Sequence, residues 1–196
     1  CYLHGHQPIK PSKMTKTLIS ASVGAIILFF FQAASWMVLD IHKDSFKYLP
    51  QQDEVMEVLS KHLQEGYYYM PYFDVSTTSQ EEQQAINEAN TGKPWVMIQY
   101  HEKMDMNMAS NMGFGFLSCF LICLIISLVL VNANIEGFAT RMFFVLLLAG
   151  LVMIGGPLYQ ANWFETPGHY VTGELLDILL GYGLAGVWMA WFTGRK

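Results

Sequence analysis

One short run in this sequence of 196 residues carries side chains suited to binding a soft metal ion. Met104, Met106 and Met108 alternate, and His101 and Met112 flank them. Thioether and imidazole groups are ligands that suit Cu(I). Alternate residues of an extended chain face one way, and residues four apart share a helix face. The run therefore predicts a copper site, with the alternative that these methionines form the apolar side of a helix entering a bilayer.

A second group of reactive side chains comprises His169, Glu174 and Asp177, with Glu165 close by. Glu174 and Asp177 are three apart and so share a helix face. We expect Asp177 about one turn inside the last apolar segment, and an ionisable group at membrane depth indicates function. It could act as a proton relay, a metal site or an anchor for a partner's arginine. Alternatively, the helix dipole stabilises acids in the first turns, still within reach of interfacial water.

The cysteines do not form a disulfide framework. Cys119 and Cys123 are four apart in an apolar segment, where we expect them to serve as small packing residues. Cys1, His4 and His6 are metal-ligand types at close spacing, but no fourth ligand is fixed nearby. We expect the first thirteen residues to form an unstructured polar lead.

The composition indicates a polytopic membrane protein, because 53% of the residues are hydrophobic and only 14% are charged. An ordinary soluble domain has about 25% charged residues. A spanning helix needs about 20 apolar residues, and 111–132 is the clearest such segment. The sequence predicts four transmembrane helices, at 17–39, 111–132, 141–158 and 173–194.

Contacts between these helices are predicted from small and polar residues. Small side chains on the last span favour close helix approach; they are Gly181, Gly183, Ala185 and Gly186. Gln32 and Ser35 of the first span are expected to donate hydrogen bonds between helices.

The remaining segments are a lead at 1–16, a polar part at 40–110, a connection at 133–140 and an aromatic loop at 159–172. Within 40–110 we predict two helices, one at 53–65 with Gly66 as its C-cap and one at 79–90. Ser79 and Glu82 form the pattern of a capping box. A strand is predicted at 93–100, and 67–75 is predicted to be an edge strand or an interfacial segment. The predicted fold class is a membrane all-α protein with a small extracytoplasmic α+β cap between the first and second helices.

The charge distribution predicts the sidedness. Four spans place both termini on one side, with Glu136 as the acid there and a set of basic residues, Lys10, Lys13, Lys16, Arg141, Arg195 and Lys196. The positive-inside rule then places both termini in the cytoplasm. We expect a multi-pass protein of a bacterial inner membrane, with 40–110 in the periplasm.

No sequence motif favours an enzyme. The chain has no Walker loop, no GxGxxG, no HExxH, no CxxCH and no GxSxG. A net charge of -5 argues against nucleic acid as a partner. The leading hypothesis is an accessory or structural subunit of a larger membrane complex, contacting lipid and either integral-membrane partners or other copies of itself. The alternatives are a copper-handling protein, and a proton-coupled carrier or enzyme that uses His169, Glu174 and Asp177.

Overall fold

The structure is a computed structural model that describes residues 12–133 and 135–195, so Cys1, His4 and His6 lie outside the described residues. The residues in these two ranges are 68% helical and include a small two-stranded sheet. The described elements, in order, are α1 (Lys13–Met37), α2 (Gln52–His62), β1 (Gly66–Met70), α3 (Gln80–Asn90), β2 (Val96–Tyr100), α4 (Met108–Asn132), α5 (Phe138–Met153), a π-helical segment (Ile154–Leu158), α6 (Tyr159–Trp163) and α7 (Gly168–Gly194). They form two compact units: the bundle, which includes α1 and α4 to α7, and the inserted unit, Tyr48–Met106.

Four helical stretches of the bundle are long and apolar enough to cross a membrane: Lys13–Met37, Met108–Asn132, Phe138–Trp163 and Gly168–Gly194. In the third stretch, α5, the π-helical segment and α6 follow one another without a break. The prediction of a mostly helical chain with four candidate spans is thus confirmed. These helices support a multi-pass membrane protein.

Each of these helices begins earlier than the apolar pattern predicted, because polar first turns are also helical. The Ser12 hydroxyl accepts the Thr15 N–H at 3.1 Å ahead of α1. The Asn107 side chain accepts the Ser110 N–H at 3.0 Å ahead of α4. Such caps satisfy backbone donors that the helix leaves free. Hydropathy therefore locates the apolar part of each helix, and the caps locate its start.

The third span differs from the prediction at its end. It was expected to end at 158, but α6 continues the helix through Trp163, into the predicted aromatic loop. Pro157 lies inside the π-helical segment. Proline has no N–H to donate, and a π-helical turn accommodates this loss within a continuing helix. Since α7 begins at Gly168, the non-helical part of the loop is only 164–167.

The helices α1 and α4 run antiparallel, as their contacts show. The Ser127 hydroxyl donates to Ser20 at 2.8 Å, and the Cys119 thiol donates to the Gln32 side-chain carbonyl at 3.1 Å. Gln32 thus joins the two helices as predicted, but as an acceptor rather than as a donor. Cys119 and Cys123 are free and buried, which confirms their prediction as packing residues.

The helices α1 and α7 are also antiparallel. At one end, Lys16 Nζ donates to the Arg195 carbonyl oxygen. At the other end, the Ser35 hydroxyl donates to Asp177, which confirms Ser35 as a donor between helices. The ammonium of Lys16 and the carboxylate of Asp177 therefore lie at opposite ends of the bundle.

Glycines allow α7 to approach its neighbours closely. A Cβ on Gly181 would lie 2.8 Å from Leu28 of α1, and a Cβ on Gly186 would lie 2.7 Å from Val145 of α5. Both distances are too short for a real Cβ, so the predicted small-residue contact is confirmed at these two positions. Gly183 does not take part, because a Cβ there would meet nothing within 4 Å in the described structure.

The inserted unit contains the antiparallel pair of β1 and β2, in which Gly66 pairs with Tyr100 and Met70 with Val96. The strands cover 66–70 and 96–100 and are shorter than predicted. Proline lacks the N–H that a ladder needs, and Pro71 and Pro94 both lie at the end of the ladder where Met70 pairs with Val96. The prolines therefore bound the sheet at that end.

Of the two helix caps predicted in the inserted unit, one is present and the other is not. The capping box of α3 is formed, with Ser79 and Glu82 bonded reciprocally. The prediction of Gly66 as the C-cap of the preceding helix is wrong, because α2 already ends at His62 and Leu63 is extended. Gly66 instead begins β1, where it pairs with Tyr100.

Replacing Gly186 with leucine should destabilise the bundle. The buried Val145 side chain has no room to move away, and overpacking of this kind costs about 1–3 kcal/mol. Thermal unfolding of the detergent-purified protein should show a lower midpoint. The matched control is Gly183→Leu, which should leave the midpoint unchanged. Equal midpoints for the two variants would contradict this packing of α5 on α7.

Candidate functional site

Asp177 is a buried carboxylate on α7, with only 7% of the residue exposed. It lies about 13 Å along the helix from Gly168, at ~1.5 Å of rise per residue. It is therefore deeper than the first turn, where the dipole of a helix acts on acids. Its stabilisation has to come from side chains of other segments.

Two side chains bind this carboxylate. The Ser35 hydroxyl of α1 donates to Oδ1. The His42 ring places Nε2 at 3.0 Å from Oδ2. An ionised carboxylate can only accept, so Nε2 carries a proton in that state and donates it. Both oxygens of Asp177 are thus occupied, by residues distant in sequence.

The His42 ring is held in place on several sides. It belongs to the turn that follows α1, and its Nδ1 lies 3.2 Å from the Ser45 hydroxyl. The Trp36 ring stacks face to face on it, with 3.8 Å between centroids and 2° between planes. Gly173 of α7 leaves room for the ring, because a Cβ there would lie 2.8 Å from Nδ1.

The hydrogen bonds form one continuous chain: Ser35, Asp177, His42 and Ser45. Buried networks of this kind are rigid, since each unpaired member would carry a large desolvation cost. The arrangement therefore fixes the turn after α1 onto α7.

The residues predicted from the sequence are only partly brought together. Glu174 and Asp177 share the predicted face of α7, and Glu174 is half-buried. His169 and Glu165 are exposed, and no side-chain hydrogen bond involves them in the described part of the chain. The imidazole next to Asp177 is that of His42, which sequence reasoning missed. The available signal was topology, since four spans place the end of the first and the start of the fourth on the same side of the bundle.

Glu174 lines a pocket of about 300 Å³ within the bundle. The pocket lies between α1, the π-helical segment with the start of α6, and α7. Its polar lining consists of Gln32, Gln160, Thr166, Tyr170, Glu174 and Tyr182. A pocket with a carboxylate and uncharged polar groups can bind a small polar molecule.

The methionine run divides between the two units. Met104 and Met106 precede α4 in the inserted unit, and Met104 is 87% exposed. Met108 and Met112 are exposed residues of the first turns of α4, four apart on one face. Exposed thioethers are accessible to a metal ion, and also to lipid.

His101 belongs to the inserted unit, where its Nδ1 is hydrogen-bonded to the Glu65 carboxylate. The other Glu65 oxygen accepts the Glu102 N–H at 3.1 Å. The Glu102 N–H and the His101 ring hold the pKa of Glu65 below its ordinary value. These bonds therefore stabilise the folded state above the ordinary glutamate pKa, and the stabilisation is lost as the pH falls through the lowered pKa.

A pocket of about 470 Å³ in the inserted unit is lined by His101, Met104 and Met56, among others. Within residues 12–133 and 135–195, no three His, Cys, Asp or Glu side chains are grouped so that they could hold a metal ion.

Removing one partner of the buried network should destabilise the protein. Asp177→Ala leaves the Ser35 hydroxyl and the His42 ring unpaired, and breaking a buried pair costs about 3–5 kcal/mol. The unfolding midpoint in detergent should fall, while His169→Ala, at an exposed site, should leave it unchanged. In a double-mutant cycle, His42→Ala should cost much less when Asp177 is already alanine. If the losses of stability in the two single variants added up in the double variant, the pairing of His42 with Asp177 would be contradicted.

Comparison with known proteins does not place the chain in a family. No family model, no curated protein and no solved structure matches it. A functional proposal for this chain rests on the contacts, burial and charges of its own described residues.

Proposed function

We propose that this chain is an accessory subunit of a larger membrane complex and that the inserted unit docks on a partner. The observation that carries the proposal is the lack of a core in that unit. Tyr100 is the one buried residue among residues 48–106, all of which the structure describes. Neither α2 nor α3 buries a single residue. A unit of this size gains little stability from so little burial, and a partner surface would supply what it lacks.

An exposed aromatic patch, defined by Tyr69, Tyr72, Phe73 and Trp95, offers a contact surface. The Tyr69 ring stacks on Trp95 with 5.2 Å between centroids, and Tyr72 stacks on Phe73 with 4.5 Å. Tyr72 is 60% exposed. Aromatic side chains are enriched at protein interfaces, where they supply much of the binding energy.

The proposed orientation is a bacterial inner membrane with both termini in the cytoplasm and the inserted unit in the periplasm. One end of the bundle carries basic groups, where Lys16 contacts Arg195 and the Arg141 side chain lies against Gly194. The opposite end carries Glu174 and Asp177. This separation of charge supports a cytoplasmic location of the basic end.

Purification from native membranes in a mild detergent, with mass spectrometry of the co-purifying proteins, tests the docking role. We expect a stoichiometric set of membrane proteins, or a second copy of this chain, with the wild type. Tyr72→Glu should remove them, because it places a charge in the aromatic patch. Tyr48→Glu is the matched control, since Tyr48 is also exposed but lies outside the patch. A lone, monodisperse wild-type protein would contradict the proposal.

A second candidate function is the handling of copper by the inserted unit. The observation that favours it is the Glu65–His101 bond, since histidine ligands commonly donate their second ring N–H to a carboxylate. That bond leaves Nε2 of His101 available, in a pocket that Met56 and Met104 also line. Imidazole and thioether groups suit Cu(I), and Met106 and Met108 follow within the same run.

Copper content and Cu(I) affinity test this second function. Changing Met104, Met106 and Met108 together to leucine should weaken binding at least tenfold, because leucine keeps the apolar volume and removes the sulfur. Glu65→Gln should weaken it about 10–100-fold, the usual effect of losing a carboxylate behind a histidine ligand. The control changes Met14 and Met37, both exposed on α1, to leucine. Equal affinities in all proteins would rule out the site.

A further inference from the structure

The pocket between α1, the π-helical segment and α7 has an unusual electrostatic character. Glu174 is the sole charged side chain that lines it. Its carboxylate accepts no hydrogen bond from any residue in 12–133 or 135–195. Glu174 is half-buried, and a carboxylate partly withdrawn from water is stabilised by a positive or hydrogen-bonding group beside it. The pocket thus presents a carboxyl group that has no hydrogen-bond donor among the described residues, on a helix long enough to span a membrane.

The neighbouring polar network does not supply the missing partner. Both oxygens of Asp177 are occupied by Ser35 and His42, and the His42 ring is directed at Asp177. Neither the Ser35 hydroxyl nor the His42 ring is hydrogen-bonded to Glu174 in the described structure.

The other lining groups indicate what would fit. The side-chain amides of Gln32 and Gln160 can accept hydrogen bonds, and the rings of Tyr170 and Tyr182 form aromatic walls. Tyr182 is buried, at 4% exposure. Aromatic faces attract cations, and a volume of about 300 Å³ is at the lower end for a small organic ligand.

We propose that this pocket binds the primary ammonium group of a small organic molecule, with Glu174 as its counter-ion. An ammonium has three N–H donors, which suit the carboxylate, the Gln160 amide carbonyl and the second lone pair of the Gln32 amide carbonyl, whose other lone pair accepts the Cys119 thiol. The tyrosine rings would contact the carbon chain next to the nitrogen. This site is independent of the docking role proposed for the inserted unit, because all of its residues belong to the bundle.

The π-helical segment contributes to the lining of the pocket. Gly156 and Pro157 line it, and a Cβ on Gly156 would meet nothing within 4 Å in the described structure. A wide π-helical turn with a glycine thus leaves a space that a larger side chain at this position would fill. Such turns occur frequently at functional sites.

Two sources could provide the ammonium group: a free amine, or the headgroup of an aminophospholipid. Calorimetry on the full-length protein in detergent tests the first, with butylammonium as the probe and 1-butanol as its neutral counterpart. Thermal unfolding in nanodiscs tests the second, with phosphatidylethanolamine compared with phosphatidylcholine. The site is supported, with a free amine as its ligand, if butylammonium binds saturably and butanol does not. It is supported, with a lipid headgroup as its ligand, if the unfolding midpoint is higher in phosphatidylethanolamine than in phosphatidylcholine.

Variants connect either signal to the pocket. Glu174→Gln keeps the shape and removes the charge, and it should weaken binding at least tenfold or abolish the lipid effect. Glu165→Gln removes a nearby exposed charge outside the lining and should change neither. Gly156→Leu should fill the pocket and have the same effect as Glu174→Gln, whereas Gly150→Leu, also at an open position, should not.

The proposal is overturned if neither probe gives a signal with the wild type. It is also overturned if Glu174→Gln and Gly156→Leu, each with a cooperative unfolding transition, respond to the probes as the wild type does. If Glu174→Gln does not fold, Gly156→Leu alone decides, since it leaves the carboxylate in place. The docking proposal is unaffected by these results, because its readout is the set of co-purifying proteins.

Discussion

The bundle depends on one constraint: a carboxylate buried on an apolar helix has to be fully hydrogen-bonded. Asp177 meets this constraint through Ser35 of α1 and His42 of the turn that follows α1. The constraint therefore fixes the relative position of three chain segments at one end of the bundle. Along the rest of α7, small residues position the helix, because Gly181 and Gly186 bring its backbone against Leu28 and Val145.

The two units differ in what stabilises them. The bundle buries a continuous set of apolar and small residues between its helices. The inserted unit has a two-stranded sheet, two helices and one buried residue, Tyr100. Its hydrogen bonds include the capping box of Ser79 and the Glu65–His101 pair, both at exposed sites. Bonds between exposed side chains contribute little each, which is why a partner surface has a physical role there.

Hydropathy alone predicted the four apolar helices, because the energetic cost of burying charge leaves long uncharged segments in the sequence. The capping box of α3 was also predictable, since its two members are three residues apart. The first residues of the long helices were not predictable from hydropathy, because the caps of α1 and α4 lie in polar sequence. The π-helical segment depends on how Pro157 fits between neighbouring turns, which hydropathy does not describe.

One member of the central pair of the candidate site was predictable from the sequence, and the other was not. Asp177 stood out because a charged residue in an apolar segment is conspicuous. Its partner His42 did not stand out, because it lies far from Asp177 in sequence, in a polar turn where a histidine is common. Only the packing of α1 on α7 brings the two together. Local sequence favoured His169 instead, which lies on the same helix but is exposed.

The face-to-face stacking of Trp36 on His42 has a spectroscopic consequence. An aromatic ring in van der Waals contact with an indole changes the surroundings of the indole and hence its fluorescence. The ring separation of 3.8 Å places the His42 ring in such contact with Trp36, one of five tryptophans in the chain. The emission of Trp36 is therefore coupled to the attachment of the His42 turn to α7, and detachment of that turn would change it without any added label.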